Sequence, residues 1–146
     1  MSASESRFID FSPNPDSLPE SSFFLRRFFK GDGQQMSFED NTFDAVFTNG
    51  SLHEWSQPNE VFDEAYRVLK PTGRYLISDL RRDMNTLVKW IMRAVTKPRE
   101  IKPGLVSSIN ASYTPEEIRS MLRNSSLSGS AARGVIMIFV IAGEKK

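Results

Sequence analysis

The sequence contains no cysteine and a single histidine, His53. The first absence excludes disulfides, thiolate metal sites and a cysteine nucleophile; the second excludes a metal centre built from several imidazoles. Charge of one sign is also lacking. Nineteen basic and eighteen acidic side chains leave +1 at pH 7, so global charge offers no case for nucleic acid. Long apolar stretches are missing too: the longest, Val135–Ala142, has eight residues, far short of a membrane span. Met1–Arg7 is polar and has no apolar centre of a secretory signal. The expectation is a soluble, cytoplasmic protein with no metal, no transmembrane segment and no nucleic-acid partner. Glycine is scarce at the start: none of the eight glycines precedes Gly31.

What is present is enough for one domain, 1–146, since a chain of this length can bury roughly 68–70% of its unfolded surface. The best-organised stretch runs from Gly31 to Leu80. Two short apolar runs, Phe43–Thr48 and Arg74–Asp79, bracket one amphipathic helix. Ser56 or Gln57 can cap that helix and Pro58 suits its first turn. Val61, Phe62, Ala65, Tyr66, Val68 and Leu69 recur at helical spacing, and Val61, Phe62, Tyr66 and Leu69 are expected to pack on a sheet. Glu60, Asp63 and Glu64 come early and Arg67 and Lys70 late, as the helix dipole favours. Pro71 and Gly73 are expected to end the helix, with a strand from Arg74. A strand–helix–strand unit implies parallel strands, and ligands of parallel sheets sit at the strands' carboxyl ends. Here those ends are Gly31-Asp32-Gly33, Thr48-Asn49-Gly50 and Ser78-Asp79.

Elsewhere the signals are mixed. Arg7–Phe11 reads as a short strand and Ser12–Ser22, with three prolines and four serines, as a loop. Phe23–Lys30 fits either a helical face or a strand. Asp79–Lys102 holds seven basic and three acidic residues. Leu87, Trp90, Ile91, Ala94 and Val95 form an apolar stripe there, so Asn85–Val95 should be a helix with basic flanks. Lys97–Tyr113 is expected to be a long connection. Thr114-Pro115-Glu116-Glu117 is a capping box opening another helix. Ser125–Ser130 reads as a loop, and Val135–Ala142 as a strand buried on both faces.

Gly31-Asp32-Gly33, Phe38-Glu39-Asp40-Asn41, Phe43-Asp44-Ala45-Val46 and Arg67-Val68-Leu69-Lys70-Pro71-Thr72-Gly73-Arg74, in that order, resemble the class I S-adenosylmethionine-dependent methyltransferases, in their broad small-molecule branch. The resemblance is dense from about Gly31 to Asp83. It implies an α/β, Rossmann-like, doubly wound and mostly parallel sheet with an antiparallel last strand. It also implies a strand near Arg26–Lys30, a transferase activity, S-adenosylmethionine as cofactor and a small-molecule acceptor. In that fold the first strand ends in a glycine-rich loop that packs backbone amides against the cofactor. No such loop is present. Phe8-Ile9-Asp10-Phe11-Ser12-Pro13-Asn14 best resembles the family's second strand, which makes the fold truncated at its N-terminus. A second alignment makes Arg7–Phe11 a degenerate first strand. Either Arg7–Phe11 fills the gap beside Phe43–Thr48, or another chain supplies a strand and the protein self-associates through an incomplete sheet.

The resemblance assigns cofactor contacts to Asp10 (ribose hydroxyls), Asp32 (adenine amino group), Gly33 (backbone against the ring), Asn49 and Gly50. Each has a plainer role open to it as a turn or capping residue. His53 is the only side chain with a pKa suited to neutral acid–base work, yet methyl transfer needs alignment more than proton transfer. His53 and Trp55 are therefore expected to line a substrate pocket, and no residue is assigned a catalytic role. The basic cluster faces either an anionic substrate, lipid headgroups with Trp90 as anchor, or solvent. Two functional readings follow: a methyltransferase acting on a small molecule, or an inactive methyltransferase-like fragment serving as a binding or interaction module.

Overall fold

The computed structural model describes residues 8–10 and 31–146. The expected loop at Ser12–Ser22, the element at Phe23–Lys30 and the strand near Arg26–Lys30 lie outside the described residues. The elements are β1 (Phe8–Asp10), β2 (Phe43–Asn49), α1 (Pro58–Val68), β3 (Leu69–Leu80), α2 (Thr86–Val95), α3 (Lys102–Ala111), α4 (Pro115–Arg123), β4 (Ala131–Gly134) and β5 (Ile138–Glu144). They form one sheet in the order β1-β2-β3-β5-β4. β1 runs parallel to β2, and β2 parallel to β3, with Ile9 opposite Val46 and Thr48 opposite Ile77. β5 runs antiparallel to both β3 and β4. The sheet is thus parallel in its first half with antiparallel later strands, as the resemblance implies. The gap beside β2 is filled from within the chain.

Helix α1 crosses from β2 to β3 and buries Val61, Phe62, Ala65 and Val68. Of these, Phe62, Ala65 and Val68 join Val46, Ile77, Phe139 and Ile141 from the sheet and Ile118 and Leu122 from α4 in one core. Alternation on the strands places Phe47 and Leu76 on the opposite face, where they are 39% and 38% exposed. Tyr66 packs on the rim of the core, half-buried. Its ring lies under the Lys145 ammonium, 4.9 Å from the nitrogen. It is placed on the expected face but not sealed inside it.

The boundary between α1 and β3 differs from expectation. The helix stops at Val68, and Leu69 already pairs with Phe43. Pro71-Thr72-Gly73 therefore lies inside β3 and does not form a helix stop. Two interactions explain this. The Lys145 ammonium donates to the carbonyls of Leu69 (2.8 Å) and Arg67 (3.4 Å), capping the helix end with a cation. The backbone of Lys145 exchanges hydrogen bonds with Thr72 and Gly73. Gly73 is required there, because a Cβ would come within 2.8 Å of the Lys70 carbonyl oxygen. At the other end Gln57 is the N-cap but makes no side-chain cap bond, and Ser56 instead donates to Gln34.

Two further expectations are corrected, and one strand was not anticipated. Lys97–Tyr113 is not a long connection: a 3-10 turn at Arg99–Ile101 leads into α3. Pro103 sits in the first turn of α3, where proline opens a helix. Ala131–Gly134 forms an edge strand that its short, weakly patterned sequence does not announce. Val135–Ala142 is only partly strand: β5 begins at Ile138, while Val135, Ile136 and Met137 form the exposed hairpin turn. The capping box at Thr114 is formed as expected, with Glu117 accepting from the Thr114 amide at 2.8 Å.

Candidate functional site

The carboxyl ends of β2 and β3 lie side by side, with Asn49 opposite Ser78. The Ser78 hydroxyl donates to Asn49 Oδ1 at 2.8 Å, and the Gly50 amide to the Ser78 carbonyl at 2.8 Å. Gly50 has φ +69°, a conformation that glycine adopts without strain, and space is open where a Cβ would stand. The chain then turns through Ser51, whose hydroxyl meets that of Thr48 at 2.6 Å, into a 3-10 turn at Leu52–Glu54. Buried Leu52 pins this turn to the core.

The turn delivers His53 to Asp79, the next-to-last residue of β3. Asp79 accepts from the His53 amide (2.8 Å) and the Leu80 amide (2.7 Å), and lies 2.9 Å from His53 Nδ1. Its side chain is 0% exposed and that of His53 8% exposed. A carboxylate is acceptor-only, so His53 Nδ1–H donates to it. Nε2 lies 4.0 Å from Glu54 Oε1, a largely exposed carboxylate.

Asp32 closes a tight turn. Its Oδ1 accepts from the Gln34 amide at 2.9 Å, and its carbonyl accepts from the Gln35 amide at 3.2 Å. The loop that follows is clipped to α1 by Arg67. This guanidinium donates to Glu64, Asp40 and the carbonyls of Met36 and Phe38, and Glu64 accepts from the Met36 amide. The Arg67 hydrogen bond holds the Glu64 carboxyl below its usual range, and Glu64 in turn raises the Arg67 guanidinium.

Between the Asp32 turn and the Leu52–Glu54 turn lies a cleft of about 290 Å³, lined by Asp32, Gly33, Gln34, Glu54, Trp55 and Val61 among others. Trp55 is braced edge-on against Phe62 at 6.1 Å. The fold thus brings Asp32, Gly33 and Trp55 to one cleft. Asn49 and Gly50 stand at the neighbouring strand end. Asp10 ends β1, opposite Phe47, two residues before the end of β2. His53 turns away from Trp55 towards Asp79. Sequence reasoning put Asp79 at a ligand-facing strand end without a role, and did not single out Gln34 or Glu54. A strand-ending acid in a chain with one histidine is the signal that would have found Asp79.

The donor set fits the adenosine half of S-adenosylmethionine. It offers an exposed carboxylate for an exocyclic amine, a glycine backbone, and an indole beside a valine for an apolar ring. The volume lies at the small end for ligand sites, matching part of the cofactor rather than all of it. In the sequence no glycine lies between Asp10 and Gly31 to take the methionine end.

Residues 4–77 match the family model described as a methyltransferase domain. Curated relatives agree. A ubiquinone/menaquinone biosynthesis C-methyltransferase of Roseobacter denitrificans is 24% identical over 119 residues, covering 73% of this chain and 48% of that protein. Its counterpart in Brucella canis is 32% identical over 97 residues, covering 63% and 35%. The sterol 24-C-methyltransferase of Neurospora crassa is 47% identical over 49 residues, covering 34% and 13%. The chain spans half or less of the length of these relatives. Among solved structures, a SAM-dependent methyltransferase from Aquifex aeolicus superimposes with a TM-score of 0.55 at 20% identity, covering 82% of this chain and 55% of that one. One from Methanococcus maripaludis gives 0.54 at 23% identity, covering 80% and 53%. The match over half the chain, carried on a Rossmann-like sheet, settles the kinship: the chain belongs to the methyltransferase-domain family, class I enzymes whose cofactor is S-adenosylmethionine.

Proposed function

We propose that this protein transfers a methyl group from S-adenosylmethionine to a small-molecule acceptor at the carboxyl ends of β2 and β3. The observation that carries the reading is the cleft joining Asp32 and Gly33 to Trp55, beside the open strand end Asn49–Gly50. Asp32 accepts from the adenine amino group, Gly33 lets its backbone approach the ring, and Trp55 and Val61 form the apolar wall. Asp10 takes the ribose hydroxyls. When bound, the cofactor supplies an electrophilic sulfonium methyl. The protein's part is to hold donor and acceptor in line. Carbon methylation, as named for the quinone and sterol relatives, releases a proton from the acceptor. His53, whose Nδ1 lies 2.9 Å from Asp79, is our candidate to take it through Nε2. A quinol ring is the acceptor to test first.

Calorimetric titration with S-adenosylhomocysteine tests the cofactor step. Two or three missing amide contacts to the methionine end, at roughly 1.5–3 kcal/mol each, weaken binding about a hundred-fold or more. The expected result is weak, saturable binding that Asp32→Ala abolishes. Asp32→Asn keeps the turn, since its amide oxygen still accepts from Gln34, but loses the adenine contact and also weakens binding. Tight binding, or binding indifferent to both substitutions, overturns the site.

A second reading has its own observation. β1 stands beside β2 yet runs into Phe11-Ser12-Pro13, where a cofactor-binding strand would run into glycines. In that reading the chain is an inactive methyltransferase-like binding module. No heat of binding at millimolar S-adenosylhomocysteine would favour it.

A further inference from the structure

Helix α2 is built inside out. Leu87, Trp90, Ile91 and Val95 share one face at the spacing i, i+3, i+4, i+8, and they are 63%, 65%, 45% and 67% exposed. No residue of the helix is buried. The side turned to the protein carries half-buried Val88, Lys89, Met92 and Thr96. A helix that merely floats on a soluble domain shows its polar face to water. Here the face shown to water is the apolar one, and contiguous exposure of this kind marks an interaction surface.

Charge identifies the occupant. Thr86–Lys102 contains five basic residues and one acidic residue, so the chain's +1 combines a basic segment with an acidic remainder. Arg93, exposed and three residues after Trp90, lies along one edge of the apolar face. Lys97 and Lys102 line an open hollow just beyond the helix, with Thr96 and Glu100. A second copy docking through the same face would oppose two basic segments, which repel. An anionic bilayer meets both features: hydrocarbon for the apolar side chains and phosphates for the cations. Trp90 suits the boundary between them, having an apolar ring and a single polar N–H. Ten residues rise about 15 Å, too short to cross a bilayer and suited to lie in its surface.

We propose that α2 docks flat on an anionic lipid surface, with Leu87, Trp90, Ile91 and Val95 inserted at the headgroup–acyl boundary and Arg93, Lys97 and Lys102 on lipid phosphates. Docking is separate from cofactor binding. Because α2 follows β3 after five residues, it also sets the strand ends that build the candidate site close to the lipid.

Co-sedimentation of the full chain with vesicles of phosphatidylcholine alone, or mixed equally with phosphatidylglycerol, tests this. In a Trp55→Phe background Trp90 is the only tryptophan, and its emission should shift to the blue on the anionic vesicles alone. Leu87→Ser with Ile91→Ser, and separately Arg93→Glu with Lys97→Glu, should each lower partitioning at least about tenfold. All four side chains reach solvent, and circular dichroism checks that the fold survives. If the serine pair unfolds, the charge-reversal pair decides. Absent sedimentation, equal partitioning to both vesicle types, or unchanged partitioning of the charge-reversal pair each overturns the proposal. So does a dimer in sedimentation velocity that the serine pair disperses, since a second copy then covers the face.

Discussion

Two buried or half-buried charge groups carry the most weight at the scale of single residues. Asp79 is sealed from water and satisfied by three N–H groups, two of them from His53. Asp79→Ala strands those donors at a buried position. The expected cost is about 3 kcal/mol, read from the urea midpoint; a midpoint within error of the wild type would show that the pair is not a structural anchor. Arg67 is the second. Arg67→Ala releases the Met36–Asp40 loop from α1 and should cost about 2 kcal/mol, given several hydrogen bonds to charged partners. The pH dependence has a definite sign. The folded Glu64 carboxyl titrates lower than in the unfolded chain. Its contribution is therefore complete above the usual glutamate pKa, about 4.3, and is lost as pH falls below it. Arg67→Ala should flatten that acid limb in urea titrations, and an unaltered limb would place the acid sensitivity elsewhere. None of this was legible in the sequence: His53 and Asp79 are 26 positions apart and most partners of Arg67 lie 27 to 31 positions from it, and no local period links them.

Among the elements, legibility followed the strength of the local period. α1 and α4 were readable because their apolar positions recur cleanly and each begins at a proline in its first turn. α3 was hidden because it buries only Ile109 and has almost no amphipathic pattern. β4 was hidden because an edge strand of four residues with one buried side chain needs no alternation. The start of β3 was misread because its pairing depends on Lys145, some 75 residues later. β3 itself offers a test of which face is covered. Ile77 is 1% exposed and its neighbour Leu76 38%. Ile77→Ala should cost about 2–5 kcal/mol, whereas Leu76→Ala should cost about 1 kcal/mol or less. Equal costs in thermal or urea unfolding would mean that the Leu76 face is packed as closely as the Ile77 face.

For the molecule as a whole, the decisive element is the smallest. The β2-β3 pairing was legible, because an apolar strand, a crossover helix and a second strand admit few arrangements, as was an antiparallel last strand. What the sequence left open was the neighbour of β2, and Phe8–Asp10 takes that place through backbone pairing to Ala45–Phe47. Those three residues keep the Ala45–Phe47 edge from standing open. An unpaired strand edge is a template for another chain. Deleting residues 1–10 should therefore do two things. It should lower the unfolding free energy by about 2–3 kcal/mol, at roughly 1 kcal/mol for each lost backbone hydrogen bond. It should also produce concentration-dependent association in sedimentation velocity, as the exposed edge of β2 pairs with a second copy. A shortened chain that stays monomeric and equally stable would show that β1 adds nothing to the sheet, and that the edge of β2 is protected by some other part of the protein.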